Sequence, residues 1–442
     1  MALFCGLLAT SIAGDGIPAH HAAAARCALA TLLLLVAAAS LAPRRKQGRR
    51  VGLGPAGASL IAAAVLAFVA GTIELWLAMP GRHPSYWLTS LGLSPAAWAA
   101  ARPLGFELSG LLAVLALCAG HAHALAEQRA ASWQLSSGRP AGAASELNFL
   151  DVAGRALSVA ALAFAAFAVV LHALLGAGPL GPAALLAPIA VLAGSSLSAF
   201  WLAPPAARAI ALARARAAGI LVRDPGALER VARADVVCIE ADHALAADAG
   251  LAVRALRELG VSVHLLSERR TDAVKMIAAW IGARAFGPLT PANQALHVRD
   301  LQHAGAWVLL VGAGDGEGAA RADVAVAVAP PGARCRDALG QAPLVLGVAR
   351  LEPLAYLVEL SRALRARLRE GAILAALYNA VLIPCAALGW CPPAAAALLA
   401  LVEALLVLAN AARLPSWPRT ARVSAVLRPA APAPAPARSG AR

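Results

Sequence analysis

Stretches of about twenty residues with almost no charge recur along this chain, and that is the length an α-helix needs to cross a hydrocarbon core roughly 30 Å thick. Seven such runs are read, at about residues 27–41, 53–79, 104–126, 156–175, 185–202, 371–390 and 394–414. Buried helices of soluble proteins do not come in these lengths and numbers, so the sequence predicts a polytopic helical membrane protein. The net charge of +14 does not point to nucleic acid. The arginines sit at the ends of apolar runs, as in PRRKQGRR after the first one, where cytoplasmic flanks carry their excess of positive charge. A nucleic-acid surface would instead gather basic residues on one face with aromatics among them. Arginine-rich loops fall after runs one, three, five and seven, which places the soluble part of the chain on the cytoplasmic side of a plasma (inner) membrane.

The remaining segments follow from that frame. Residues 1–22 are apolar but short and lack a basic start, so they read as a signal-like segment, the remnant of a span or a misassigned start. Residues 23–126 hold spans one to three and 152–203 hold spans four and five. The polar Gly/Ser/Pro-containing stretch 127–151 is a linker between them. Residues 371–414 hold spans six and seven, and 415–442 form a basic Pro/Ala-rich tail. Between them, 204–370 changes character. DVVCIE, VSVHLL, AWVLLVG and DVAVAVA are short unbroken apolar runs that alternate with helical stretches such as ALAADAGLAVRALRELG. Strands without a polar face, separated by helices, predict a parallel, doubly wound Rossmann-type sheet covered on both sides. The segment from Leu186 to Leu245 joins a span directly to the first of those strands. The seven cysteines form no C-x-x-C and no Cys/His zinc spacing, so most of them read as small buried apolar residues. VGAGDGEG follows a strand but lacks the G-x-G-x-x-G spacing and ribose acid of a dinucleotide site.

Several pieces, in one order, resemble the heavy-metal-transporting P-type ATPases of the copper-pump type. They are Phe106-Glu107 opening a span, ARAAGILVRDPGALERVARADVVC, ADAGLAVRALRELGVSVHLLSE, ARADVAVAVAPPG, SRALRARLREGAILAALYNAVLIPCAALGW and LLVLANAARL. The resemblance implies a haloacid-dehalogenase-like phosphorylation domain at 204–370. It also implies that the family's actuator domain is replaced by the linker, and that its nucleotide-binding domain, due between Leu245 and Asp248, is missing.

Position by position, the family's chemistry is degenerate here. Its D-K-T-G-T, whose Asp attacks the γ-phosphate, corresponds to Glu240-Ala241-Asp242-His243-Ala244. Glu240 keeps a carboxylate one methylene further out, and misplacement of about 1 Å costs about 100-fold. T-G-D becomes Ser267-Glu268-Arg269. The Lys that balances the moving charge becomes Gln294, which has none. The magnesium-binding G-D-G-x-N-D becomes Gly312-Ala313-Gly314-Asp315 with two residues deleted: Ala313 replaces the first carboxylate, and Asp315 is either the second or a polar loop residue. In the transport path, C-P-C becomes Ser196-Leu197-Ser198. Hydroxyls do not select soft metals, and with Leu197 in place of proline the helix is expected to stay unbroken. Tyr378 and Asn379 match the family's Tyr-Asn, and Glu403 is an acid within the last span. An intramembrane acid is a functional flag.

The resulting expectation is a relative that lacks catalysis and has a regulatory or accessory role. The alternatives are an ATP-driven cation transporter with divergent motifs, a phosphatase, for which Glu240 is the sole acid on strand one, and a decaying gene copy. Magnesium and ATP are the cofactors only if the family activity survives. The partners expected are the lipid bilayer and a full-length pump or a second copy, with no nucleic acid.

Overall fold

The structure, a computed structural model, describes residues 30, 44–46, 49–51, 62–69, 105–132, 148–175, 182–195, 198–240, 248–268, 271–314, 316–328, 342–346 and 350–416. Residues 1–22, the tail beyond Ser416, most of the first two expected spans, Ser196, Asp242 and Asp315 lie outside this set. The basic loop after the first expected span is partly described. Arg44–Lys46 (β1) and Arg49–Val51 (β2) pair as a two-stranded antiparallel ribbon. The chain divides into two compact units, one comprising Met1–Ser132, Ala143–Ala209 and Arg365–Arg413, and another built on Ile210–Leu364.

The first unit is helical. Its helices are α1 (Gly105–Ser132), α2 (Asn148–Leu175), α3 (Pro182–Gly194), α4 (Ser198–Trp201), the start of α5 (Ala203–Ala217), most of α11 (Glu352–Ala387) and α12 (Pro393–Ala412). Among the described residues, three helices are long and apolar enough to cross a membrane: Val152–Leu175, Glu352–Ala387 and Pro393–Ala412. Their outward faces carry large apolar side chains, with Leu174 79%, Leu377 64% and Leu405 58% exposed. Exposed apolar area on that scale is tolerated by lipid and not by water. The inner faces are small. Ala161, Ala168, Ala190, Ala193, Ala386 and Ala396 pack together in one core, the close approach that small residues permit between membrane helices.

One expectation fails here. The run expected as an unbroken fifth span, with Leu197 replacing a proline, is interrupted. α3 ends at Gly194, and a separate short helix begins at Ser198. Glycine is a poor helix residue. Ser195 turns its side chain back on the preceding turn, its Oγ donating to the carbonyl of Leu192 at 3.0 Å. A helix can therefore break here without proline.

The second unit is a seven-stranded sheet. In chain order its elements are β3 (Ile220–Val222), α6 (Pro225–Val231), β4 (Val236–Glu240), α7 (Ala249–Glu258), β5 (Ser262–Leu266), α8 (Thr271–Ile281), β6 (Arg284–Phe286), α9 (Pro291–His303), β7 (Val308–Gly312), α10 (Glu317–Arg321), β8 (Val324–Val328) and β9 (Leu344–Leu346). The strand order is β3-β9-β8-β7-β4-β5-β6, parallel except for β3 against β9. Strands β4 and β7 are central and almost wholly buried, as both-faces-covered parallel strands must be. The order reverses between them, since β4 connects onward to β5 on one side while β7 connects to β8 on the other. In an open α/β sheet such a reversal leaves a crevice beyond the carboxyl ends of the two strands. Asp248, just before α7, closes the start of α11 by accepting the Glu352 N–H at 2.6 Å. A carboxylate there complements the positive end of the helix dipole.

Candidate functional site

The crevice between β4 and β7 is the place to look for chemistry. Glu240 is the last residue of β4, and in the parallel register Ile239 stands opposite Val311. The Glu240 side chain therefore projects over the turn that follows β7. Its Oε2 accepts the Ala313 N–H at 3.0 Å. It reaches that amide because Gly312 carries no side chain. A Cβ at 312 would overlap both the carbon and the oxygens of the Glu240 carboxyl group. The turn continues through Gly314 at φ +86, where a Cβ would lie 2.7 Å from that of Ala327. Glycine at 314 thus meets both a left-handed backbone and a tight fit. The Glu240 carboxylate is thereby carried across the crevice and tied to the turn that follows β7.

The other counterparts form a second group. Ser267 follows β5 and is 2% exposed. Its N–H donates to Phe286 O at 3.2 Å and its carbonyl accepts Leu289 N at 2.8 Å. Gln294 lies in the first turn of α9, whose N-cap is Thr290. Its Nε2 donates to the Leu289 carbonyl at 3.3 Å, back into the loop that precedes its own helix. Ser267 and Gln294 thus share Leu289 as an anchor, while Glu240 is bonded to Ala313. Asp315, the remaining counterpart, is not among the described residues. Among those that are, no group of three His, Cys, Asp or Glu side chains is arranged to hold a metal ion.

Sequence reasoning missed a histidine pair on the same face of the sheet. His264 sits mid-β5, beside Cys238 in register, and is 5% exposed. Its Nδ1 lies 3.3 Å from Nε2 of His297 on α9. Phe286 packs against both rings, with centroids 4.6 and 4.3 Å away. The signal was present as a histidine inside the apolar strand VSVHLL, but its partner is 33 residues on and no spacing rule links them. Burial, then the neighbouring His297 and Arg284, lower the His264 pKa to about 4. Burial also lowers that of His297, and Asp300 partly opposes it. Cys238 is pushed up to about 12 by burial, so its thiol is inert at neutral pH.

A pH dependence of stability follows. A histidine whose folded pKa lies below its unfolded value of about 6.5 binds fewer protons folded than unfolded between those two values. Its stabilising neutral form is fully present above about 6.5, and the contribution is lost as pH falls from there towards 4. Thermal unfolding of the protein is expected to weaken over that window by on the order of 2 kcal/mol. His264→Phe is expected to flatten it. An unchanged slope in the variant would show that His264 is not the source.

The residues that the sequence suggests for a transport path belong to the helical unit. The Tyr378 hydroxyl donates to Gly194 O at 3.0 Å, so it holds the carbonyl at which α3 breaks. Asn379, 1% exposed, donates from Nδ2 to Ala375 O at 2.8 Å. Glu403 on α12 is 3% exposed and lies within electrostatic reach of Tyr378. Tyr378, Glu403 and the helix end at Gly194 are thus brought together. Ser198 opens α4, and Ser196 is outside the described residues.

No protein-family profile matches the chain. Individual relatives do. The chain is 32% identical over 138 residues to the probable copper-transporting ATPase PacS of Synechocystis sp., a match covering 30% of this chain and 18% of that protein. It is 33% identical over 143 residues to copper-transporting ATPase 2 of Homo sapiens, covering 32% of this chain and 10% of that one. The chain therefore spans less than a fifth of the length of these relatives. Among solved structures, a zinc-transporting PIB-type ATPase in an E2.Pi state superposes with a TM-score of 0.55 at 15% identity, over 93% of this chain and 99% of that one. That likeness concerns the fold.

Proposed function

We propose that this integral membrane protein, a relative of the heavy-metal-transporting P-type ATPases, is a non-catalytic member with an accessory or regulatory role, such as binding a full-length pump or a second copy of itself. On this reading the α/β unit is the cytoplasmic, haloacid-dehalogenase-like phosphorylation domain of the family without its reaction. One observation carries it: the carboxylate in the nucleophile's position is already bonded to the Ala313 amide, over a glycine whose Cβ would overlap it. Phosphoryl transfer needs an attacking carboxylate in line with the phosphorus and positive charge to balance the transferred group. Ala313 and Gln294 stand where the resemblance places a magnesium-binding acid and a lysine, and neither supplies charge. Purified protein incubated with magnesium and γ-labelled ATP is expected to retain no covalent label. A label released by hydroxylamine and lost in Glu240→Ala would overturn the proposal.

A second reading, an ATP-driven cation transporter with divergent motifs, draws support from a different observation. A broken helix, a tyrosine holding its terminal carbonyl and a buried acid near that tyrosine lie together in the helical unit. Helix ends and acids of this kind line ion paths, and oxygen donors would favour a harder cation than copper(I). ATP-dependent metal uptake into vesicles, abolished by Glu240→Ala, would establish it.

A further inference from the structure

A cavity of about 510 Å³ opens between α2, α4 and α11 in the helical unit. Its α2 wall is Ala153, Ala156, Leu157, Ala160 and Phe164, Phe200 closes one side, and its α11 wall runs from Ala376 to Pro384. Every wall residue but Asn379 is apolar, and Asn379 spends its amide N–H on its own helix. The volume lies in the range of small-molecule sites, about 300–1,000 Å³. Protein interiors pack as densely as organic crystals, and the side chains lining an open groove of this size lack those contacts on one side. An apolar occupant suits such a lining, and in a membrane lipids supply apolar chains.

The same face of α11 identifies the lipid's other end. Arg365, Arg369, Ala376 and Ala380 follow one another at four, seven and four residues, which is one stripe of a helix. Arg369 is exposed and Arg365 half-buried. Among the described residues neither is ion-paired, and the adjacent acid, Glu370, is held at 2.6 Å by Arg367 instead. Arg369 precedes Ala376 by about 10 Å along the axis at 1.5 Å per residue, a span that a lipid's glycerol and the first part of its acyl chain bridge. The groove then continues for about 12 Å to Pro384.

We propose that this groove binds one acyl chain of an anionic phospholipid whose phosphate is held by Arg365 and Arg369. The chain lies along Ala376, Ala380 and Ile383 against the alanine face of α2. The headgroup sits about two to three turns earlier on α11, where arginine side chains snorkel to the membrane surface. Neither the inert nor the transporting reading of the α/β unit is required for this.

The test uses the full-length protein in mixed micelles containing phosphatidylglycerol and phosphatidylcholine with the same acyl chains, read by native mass spectrometry. Wild type is expected to retain phosphatidylglycerol on the order of tenfold more than phosphatidylcholine, the preference two basic side chains at a membrane surface confer. Arg365→Gln with Arg369→Gln is expected to bring the two lipids to near parity without changing phosphatidylcholine. Ala380→Leu, a small intrusion at an exposed position, is expected to cut retention of both about fivefold, with thermal unfolding as the check that it still folds. Equal retention of the two lipids by wild type would overturn the proposal. So would an Ala380→Leu variant that folds and retains lipid unchanged. Disulfide cross-links between copies from cysteines placed at 376 and 380, formed in lipid as readily as in detergent, would assign the groove to a second copy and likewise overturn it.

Discussion

Gly312→Ala is expected to destabilise the α/β unit by about 2 kcal/mol, and Glu240→Ala is expected to make that second change nearly free. The physical reason is that one volume is claimed twice. The new methyl group would occupy the space now filled by the Glu240 carboxyl, so the side chain must swing out and surrender the Ala313 N–H it accepts at 3.0 Å. A hydrogen bond to a charged group contributes about 1.5–3 kcal/mol, and residues in contact couple by about 0.5–3 kcal/mol. Glu240→Ala alone loses the bond but leaves the Ala313 amide at an exposed edge, where water replaces the carboxylate. The double variant should therefore match Glu240→Ala within a few tenths of a kcal/mol. Chemical denaturation of the four proteins closes the cycle. Additive losses would mean that the carboxylate does not rest on Gly312, and the structural argument against catalysis would lose its support. Glu240→Asp is informative in the same cycle. One methylene shorter, it should give up the Ala313 contact and tolerate Gly312→Ala.

The doubly wound sheet was legible because its central strands are unbroken Val/Leu runs, a pattern that only burial on both faces explains. The edge was not. β3 is three residues inside ARAAGILVRDP and pairs antiparallel with β9, Ile220 opposite Leu346. No local pattern encodes a partner 126 residues away. Glu240, Ser267 and Gln294 were singled out through family likeness. Where their side chains are spent was not legible, because the Ala313 amide and the Leu289 carbonyl are backbone groups that any sequence supplies. The acid at 403 stood out as a charge in an apolar run, and it is buried. The break in α3 was hidden by attention to proline. The residues that matter are Gly194 and Ser195, one with weak helix propensity and the other bonding its own preceding turn.

That break supports the largest effect expected of a single substitution. Gly194→Val should destabilise the helical unit by about 3 kcal/mol, while Gly194→Ala should cost about 1 kcal/mol, bracketing the usual penalties for overfilling a packed core. A Cβ at 194 would overlap a terminal methyl of Leu382 on α11 and lie 3.0 Å from the Ala396 Cβ on α12. Leu382 is the tip of a flexible side chain and can give way to one methyl group. Ala396 cannot move without moving α12, so a branched side chain forces the helices apart. Their separation would also draw the Tyr378 hydroxyl off the Gly194 carbonyl, leaving a buried acceptor unmet at a further cost of about 1–3 kcal/mol. Tyr378→Phe separates these contributions, since it removes the hydrogen bond and leaves the packing intact. If the bond and the packing form one unit, the Gly194→Val penalty measured by thermal unfolding in detergent should shrink in the Tyr378→Phe background, because the bond is already gone. Equal penalties in both backgrounds would mean that the close approach at Gly194 stabilises the bundle by packing alone, and that Tyr378 does not hold the broken helix in place.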